Sequence, residues 1–232
     1  MVNPVLVALD FPSWDEASEI AQLVAPHVGG FKVGLELLMG EGPDVINRTV
    51  EMGVPVFVDA KLHDIPSTVA GAACRLGERG ARWVTVHASG GSEMMEAAVK
   101  GLQESSNGRA GVLAVTVLTS LDDSALSRTG VVRSLANQVG ALASQASDAG
   151  VEGVVCSVHE VADAKRAAPR LLAVTPGIRP RGTGTQDQKR VATPETAIAS
   201  GADYIVVGRA ITGADDVAAA AKMIATSAGF NA

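Results

Sequence analysis

Val56-Phe57-Val58-Asp59-Ala60-Lys61-Leu62-His63-Asp64-Ile65-Pro66 opens as a strand and closes on the threshold of a helix. Its first residues are apolar and β-branched, bounded upstream by Gly53 and Pro55. Side chains alternate across a strand, so Phe57, Asp59 and Lys61 share one face. Val56, Val58 and Ala60 share the other, which is apolar throughout and suited to packing on helices. The first face ends in an acid and a base about 6–7 Å apart along the strand. Asp64 adds a second carboxylate three residues on. Two unit charges 4 Å apart interact by about 4 kcal/mol at an effective dielectric of 20, so two neighbouring carboxylates repel unless a cation sits with both. Taken alone, Asp59 and Lys61 read as a surface salt bridge at a strand end, because such pairs are common and weak. The surroundings must decide.

Working outward, the same strand-then-helix pattern recurs along the chain. Upstream, the strand Val5–Leu9 ends at Asp10 and leads into the helix Asp15–Ala25, capped by Ser13. The strand Gly30–Val33 carries Lys32 and precedes the helix Pro43–Met52. The quoted stretch supplies the third strand, Val56–Lys61, and the third helix, Ile65–Arg79. Downstream, Trp83–Val86 ends at His87 before the helix Ser92–Gln103, and Gly111–Val117 ends at Leu118-Thr119-Ser120 before a helix over Val131–Ala149. Gly153–Cys156 precedes His159–Ala167, Leu171–Val174 precedes Pro194–Ser200, and Tyr204–Val207 precedes Asp215–Thr226. Eight βα units predict a (β/α)8 TIM barrel, an α/β fold in a single domain over residues 1–232. An open doubly wound sheet seldom needs eight units. No Gly-x-Gly-x-x-Gly follows the first strand, and Gly29-Gly30 precedes a strand. Composition agrees: of 232 residues 47% are apolar and only 3% aromatic. Small and branched side chains suit parallel strands buried under helices.

In such barrels chemistry sits at the carboxyl ends of the strands. The polar residues gather there: Asp10, Lys32, Asp59, Lys61, His87, Thr119 and Arg209. Strand beginnings are bland by comparison, at Pro4, Pro55, Gly111 and Gly153. That asymmetry turns the Asp59/Lys61 pair from a surface salt bridge into part of a site. The seventh loop, Pro176 to Arg190, holds Arg179, Arg181, Lys189 and Arg190 against Asp187 alone, in a chain of net charge −6. After the eighth strand, Gly208 lets an oxyanion approach the backbone N–H groups of the next turn. Phosphate sites on the loops after strands seven and eight are typical of the fold. A solvated loop is the competing reading of that segment. A phosphorylated small molecule is therefore expected, its tail at loops seven and eight and its reacting part at strands two and three.

Other classes are disfavoured. The negative net charge argues against a nucleic-acid binder. Met1–Asp10 has neither a basic region nor a long apolar run, so no signal peptide is expected, and no apolar stretch approaches the roughly 20 residues of a membrane span. Cys74 and Cys156 read as isolated buried thiols of a cytoplasmic protein. His27, His63, His87 and His159 lack metal-ligand spacing, so no metal site and no cofactor is expected. His87 is expected to donate structural hydrogen bonds at the barrel rim. Met39, Met94 and Met95 read as core or rim packing.

Ala8-Leu9-Asp10, Phe31-Lys32-Val33-Gly34, Asp59-Ala60-Lys61-Leu62-His63-Asp64-Ile65-Pro66, Val86-His87-Ala88, Val117-Leu118-Thr119-Ser120, Pro176-Gly177-Ile178-Arg179, Asp187-Gln188, Arg190-Val191-Ala192-Thr193-Pro194 and Val206-Val207-Gly208-Arg209 follow one another in this order. Over nearly its whole length the chain resembles the orotidine 5′-monophosphate decarboxylases of bacterial form. The resemblance implies conversion of orotidine 5′-monophosphate to uridine 5′-monophosphate and CO2 in pyrimidine biosynthesis, without a cofactor. It implies that Lys61 is the general acid toward C6 of the pyrimidine and that Asp59 lies beside the substrate carboxylate. Lys32 joins them in an alternating Lys-Asp-Lys-Asp network. Asp64, the fourth member, reaches into the neighbouring subunit of a homodimer, with Ile65 and Thr68 beside it. Asp10 is implied to contact the ribose hydroxyls. Thr119, or Ser120 one residue on, lies near the pyrimidine, and Pro176 lies against the substrate. Gln188, Gly208 and Arg209 hold the phosphate, with help from Arg179.

Two alternatives stand beside this reading. Mg2+-dependent keto-sugar phosphate decarboxylases on the same barrel share the third-strand motif but carry a metal-binding carboxylate where Lys32 stands, and an ammonium cannot ligate a hard cation. A catalytically silent sensor of phosphate ligands would be expected to lose Lys61 or Asp59 while keeping Arg209.

Overall fold

Apolar side chains on both faces of short parallel strands are buried when helices cover one face and the strands close on themselves around the other. The computed structural model of the chain, which describes residues 2–180 and 192–230, has this arrangement. Strands β1 (Val5–Ala8), β2 (Gly30–Val33), β3 (Val56–Leu62), β4 (Trp83–His87), β5 (Gly111–Val115), β6 (Gly153–Val155), β7 (Leu172–Thr175) and β8 (Tyr204–Val207) form a closed barrel in sequence order. Each is parallel to the next, and β1 pairs with β8 through Leu6↔Val206.

The alternation sorts the core into two layers. Leu6, Ala8, Phe57, Trp83, Leu113, Val174 and Val206 fill the barrel interior. Their neighbours, among them Val5, Val7, Val56, Val58 and Val84, face outward into the larger cluster under the helices. Phe57 thus lies inside and Val56 and Val58 outside, as expected of β3.

The amino end of the barrel is plugged. Trp83 packs edge-on against Tyr204 at 5.0 Å, and the Arg82 guanidinium lies 4.4 Å from the Trp83 ring centre. Both Arg82 terminal nitrogens donate to the Glu152 carboxylate, which also accepts from Trp83 Nε1 at 3.2 Å. Strand beginnings are therefore less bland than expected. The glycine at 111 is required because a Cβ there would overlap the Glu152 side chain. With the barrel interior closed at that end, its mouth among the described residues is at the carboxyl end.

The helices are α1 (Trp14–Val24), α2 (Leu35–Glu41), α3 (Asp44–Val50), α4 (Pro66–Glu78), α5 (Ser92–Ser106), α6 (Asp123–Ser127), α7 (Leu135–Asp148), α8 (Val161–Ala167), α9 (Pro194–Ala199), α10 (Arg209–Thr212) and α11 (Val217–Ser227). Ser13 caps α1 by accepting from the Glu16 N–H. The expected helix Pro43–Met52 is in fact preceded by a second one, α2, and Gly42 at φ 73° makes the break between them. The helix expected from Val131 starts at Leu135, where the Ser134 hydroxyl caps it. β5 stops at Val115 rather than Val117; the Thr116 N–H makes the last ladder bond to the Val155 carbonyl, which the Thr116 hydroxyl also reaches at 3.0 Å. Cys156 is buried as expected, but Cys74 is only partly buried, on α4. Met94 and Met95 are core residues, whereas Met39 is largely exposed at the rim. Among the described residues no helix is long and apolar enough to cross a membrane.

Candidate active site

β3 is not a regular strand. Between the pairs Val58↔Val84 and Leu62↔Val86 it advances four residues while β4 advances two. Lys61 stands in this bulge at φ 49°, in the left-handed region that side-chain-bearing residues seldom occupy. Backbone of this kind costs about 1–3 kcal/mol and persists only where the surroundings hold it. Here the Lys61 N–H donates to Thr85 Oγ1 at 2.8 Å, and the Thr85 hydroxyl donates to Asp59 Oδ1 at 3.0 Å. Lys61 Nζ meets Asp59 Oδ2 at 2.8 Å.

β2 brings the second ammonium. Lys32 Nζ lies 3.9 Å from Asp59 Oδ2 and 2.8 Å from Asp10 Oδ1. The order in space is Asp10, Lys32, Asp59, Lys61: acid and base alternate from the end of β1 to the end of β3. Asp59 and Lys32 are mostly buried and Lys61 is about a third exposed, so the chain of charges is drier toward its middle. Gly34 makes room for it: a Cβ there would overlap the Asp10 carboxylate and come within 2.7 Å of Lys32 Nζ.

These groups open on a cavity of about 620 Å³ at the carboxyl mouth. Of the expected site residues it gathers Asp10, Lys32, Asp59, Lys61, Thr119, Pro176, Arg179, Gly208 and Arg209. Phe57, Val155 and Val206 are among its apolar lining, and Leu118 flanks Thr119. Arg179 is buried, its Nη1 donating to the Ile178 carbonyl at 3.2 Å. Gly208 precedes α10 without a side-chain cap, which leaves the N–H groups of that first turn facing outward from the helix. Gln188 lies outside the described residues, as do Arg181, Asp187, Lys189 and Arg190.

Asp64, Ile65 and Thr68 do not line this cavity. All three are exposed. Asp64 Oδ1 accepts from the Ile65 N–H at 2.6 Å, and among the described residues its carboxylate makes no ion pair. His87, expected to donate hydrogen bonds at the rim, instead stacks at 5.3 Å and a 39° tilt on His63. Burial first, then the His63 ring and the Lys61 ammonium, push its pKa below the ordinary 6.5, which keeps the ring neutral beside the ammonium.

Two site residues escaped the sequence reading. Gly34 was visible only as part of a motif, and its reason is steric. Thr85 had a signal: it lies between Trp83 and His87 on the inward face of β4, a polar residue in the middle of an apolar strand.

Fold and cavity together define a (β/α)8-barrel enzyme with alternating charges at its mouth. The chain belongs to the orotidine 5′-phosphate decarboxylase / HUMPS family, whose model matches residues 3–224. An orotidine 5′-phosphate decarboxylase of Anaeromyxobacter sp. (strain K) is 50% identical over 222 residues, 95% of this chain and 96% of that protein. One of Thermobifida fusca (strain YX) is 45% identical over 97% of this chain and 95% of its own. A crystal structure of orotidine 5′-phosphate decarboxylase from Lactobacillus acidophilus, 38% identical, matches with a TM-score of 0.87 over 98% of this chain and 100% of that one.

Proposed function

We propose that the protein decarboxylates orotidine 5′-monophosphate to uridine 5′-monophosphate in the cytoplasm, without a cofactor, and that it works as a homodimer. One observation carries the mechanistic part: Lys61 Nζ, paired with Asp59 at 2.8 Å, faces the cavity from the end of β3. Loss of CO2 from C6 breaks a C–C bond and leaves its electron pair in the ring plane, where no adjacent carbonyl delocalises it. An ammonium placed where that charge develops lowers the barrier electrostatically. Lys61 then gives its proton to C6, a C–H bond forms, and the amine recovers a proton from solvent. Asp59 lies beside the substrate carboxylate, and like charge disfavours the ground state more than the transition state. Lys32 keeps Asp59 and Asp10 in place, and Asp10 meets the ribose hydroxyls. Thr119 and Pro176 flank the base. Arg209, Gly208, Arg179 and Gln188 take the phosphate. Asp64, with Ile65 and Thr68, completes the site of the partner subunit.

The metal-dependent relatives within the same family are the competing reading. Lys32 weighs against them, because it puts an ammonium, which cannot ligate a hard cation, between Asp10 and Asp59 where those relatives carry a carboxylate. The test is the ultraviolet absorbance change as orotidine 5′-monophosphate is consumed, with and without EDTA. Equal rates support the proposal. Loss of activity with EDTA would overturn the metal-free part of the proposal, and no consumption in either case would end the decarboxylase reading and leave the metal-dependent one, whose substrate is a keto-sugar phosphate.

Two variants probe the positions assigned. Arg209→Ala is expected to lower kcat/KM about 10- to 100-fold, mainly through KM, as loss of a charge-assisted hydrogen bond to phosphate would. Unchanged KM and kcat/KM would put the phosphate elsewhere. Gly34→Ala pushes a methyl group into the Asp10–Lys32 pair. A displacement of about 1 Å costs up to about 10²-fold in rate. Steady-state kinetics should therefore show a drop of this order at little cost in melting temperature, and a wild-type rate would mean that the pair need not sit where it does.

A further inference from the structure

Thr85 is fully buried in the middle of β4, on the face shared by Trp83 and His87. A threonine there could simply fill space. Its hydrogen bonds say otherwise. A hydroxyl has one proton to give and lone pairs to receive. This one receives the Lys61 N–H at 2.8 Å and gives its proton to Asp59 Oδ1 at 3.0 Å. One oxygen atom thus joins the backbone of the proposed proton donor to the carboxylate of the group beside it.

The join falls where the ladder fails. In a regular parallel pair the N–H groups of β3 would donate to carbonyls of β4. The register shift between Val58 and Leu62 interrupts that pattern, and the Lys61 N–H goes to a side chain instead. The same shift places Lys61 at φ 49°. Binding one Asp59 oxygen also fixes the rotation of the carboxylate. The other oxygen, Oδ2, is then turned to Lys61 Nζ at 2.8 Å, with Lys32 Nζ at 3.9 Å.

We propose that Thr85 is a positioning residue: its hydroxyl sets the bulge of β3 and the rotation of Asp59, and so holds Lys61 and Asp59 in register with each other. It is absent from the lining of the cavity, so it is assigned no contact with the substrate. The catalytic consequence rests on the decarboxylase reading above; the structural one does not.

Thr85→Val keeps shape and volume but removes both hydrogen bonds, and Thr85→Ser keeps the hydroxyl. For wild-type protein that consumes orotidine 5′-monophosphate, Thr85→Val should lower kcat about 10- to 100-fold. KM should stay within about threefold, because the loss falls on the reacting groups. Thr85→Ser should return kcat to within about threefold of wild type. A wild-type kcat in Thr85→Val, or no rescue in a folded Thr85→Ser, would overturn the proposal. A crystal structure of Thr85→Val reads the positioning without substrate: Asp59 should rotate away from Lys61 and Lys61 should leave the left-handed region. Both staying in place would refute the proposal whatever the kinetics. Wild-type protein with no activity on orotidine 5′-monophosphate would instead refute the decarboxylase reading and leave the crystallographic test standing.

Discussion

Lys61→Ala is expected to abolish CO2 release from orotidine 5′-monophosphate while leaving the barrel folded. The loss combines two effects that single residues usually supply separately. Removing one preorganised charge from where charge develops costs about 10²–10³-fold. Removing the proton donor costs about 10²–10⁴-fold. Together they predict a fall of at least about 10⁴-fold in kcat. Stability should respond in a different pattern. Lys61 sits at φ 49°, where any Cβ is strained, so alanine keeps the strain and glycine removes it. Lys61→Gly should therefore melt higher than Lys61→Ala, by the equivalent of about 1 kcal/mol, although both are inactive. Single-turnover assays on both, with melting curves, check the two halves independently. Substantial turnover by either variant would remove Lys61 from its assigned role. Equal melting temperatures would mean that the bulge relaxes once the side chain is gone.

The same residue marks how far the sequence could be read. The barrel was legible because its signal is redundant: eight short apolar runs each end in a polar residue and precede a helix-length segment. Alternation put Asp59 and Lys61 on one face with Phe57, and the gathering of polar residues at the strand ends made them part of a site; the inward position of Phe57 bears the alternation out. What alternation could not supply was the bulge. It assumed a regular strand with acid and base about 6–7 Å apart along it. The slip against β4 depends on a hydroxyl from a strand more than twenty residues away, and nothing local to Lys61 announces a left-handed backbone. The missing helices failed for other reasons. α2 contains Gly40 and ends beside Gly42 and Pro43, residues that read as a loop. Gly40 sits where a Cβ would press within 2.9 Å of the Pro12 carbonyl, a tertiary contact with no local trace. α6 and α10 span barely a turn, too short for any 3.6-residue period to register.

Asp64→Asn should be nearly as inactive as Lys61→Ala, and the two inactive proteins should restore activity when mixed. Within one chain Asp64 neither lines the cavity nor pairs with Lys61; its carboxylate accepts the Ile65 N–H and faces outward. A fourth charge so placed is of use to the cavity only if it serves a second copy. The surroundings suit such a copy. Leu35, Met39, Ile65 and Leu118 are large apolar residues left exposed on segments that follow β2, β3 and β5, around the same mouth. A two-fold interface there would cover them and would carry each Asp64 to the opposite site. Random reassortment of equal amounts of Lys61→Ala and Asp64→Asn subunits makes about half of the dimers mixed, each with one site that has both residues intact, so about a quarter of wild-type activity should return. Were Asp64 to act within its own subunit, every site in the mixture would lack one group and no activity would return. Recovery that rises with the time allowed for subunit exchange, and that stops when the subunits are cross-linked before mixing, would tie the restored sites to the interface itself.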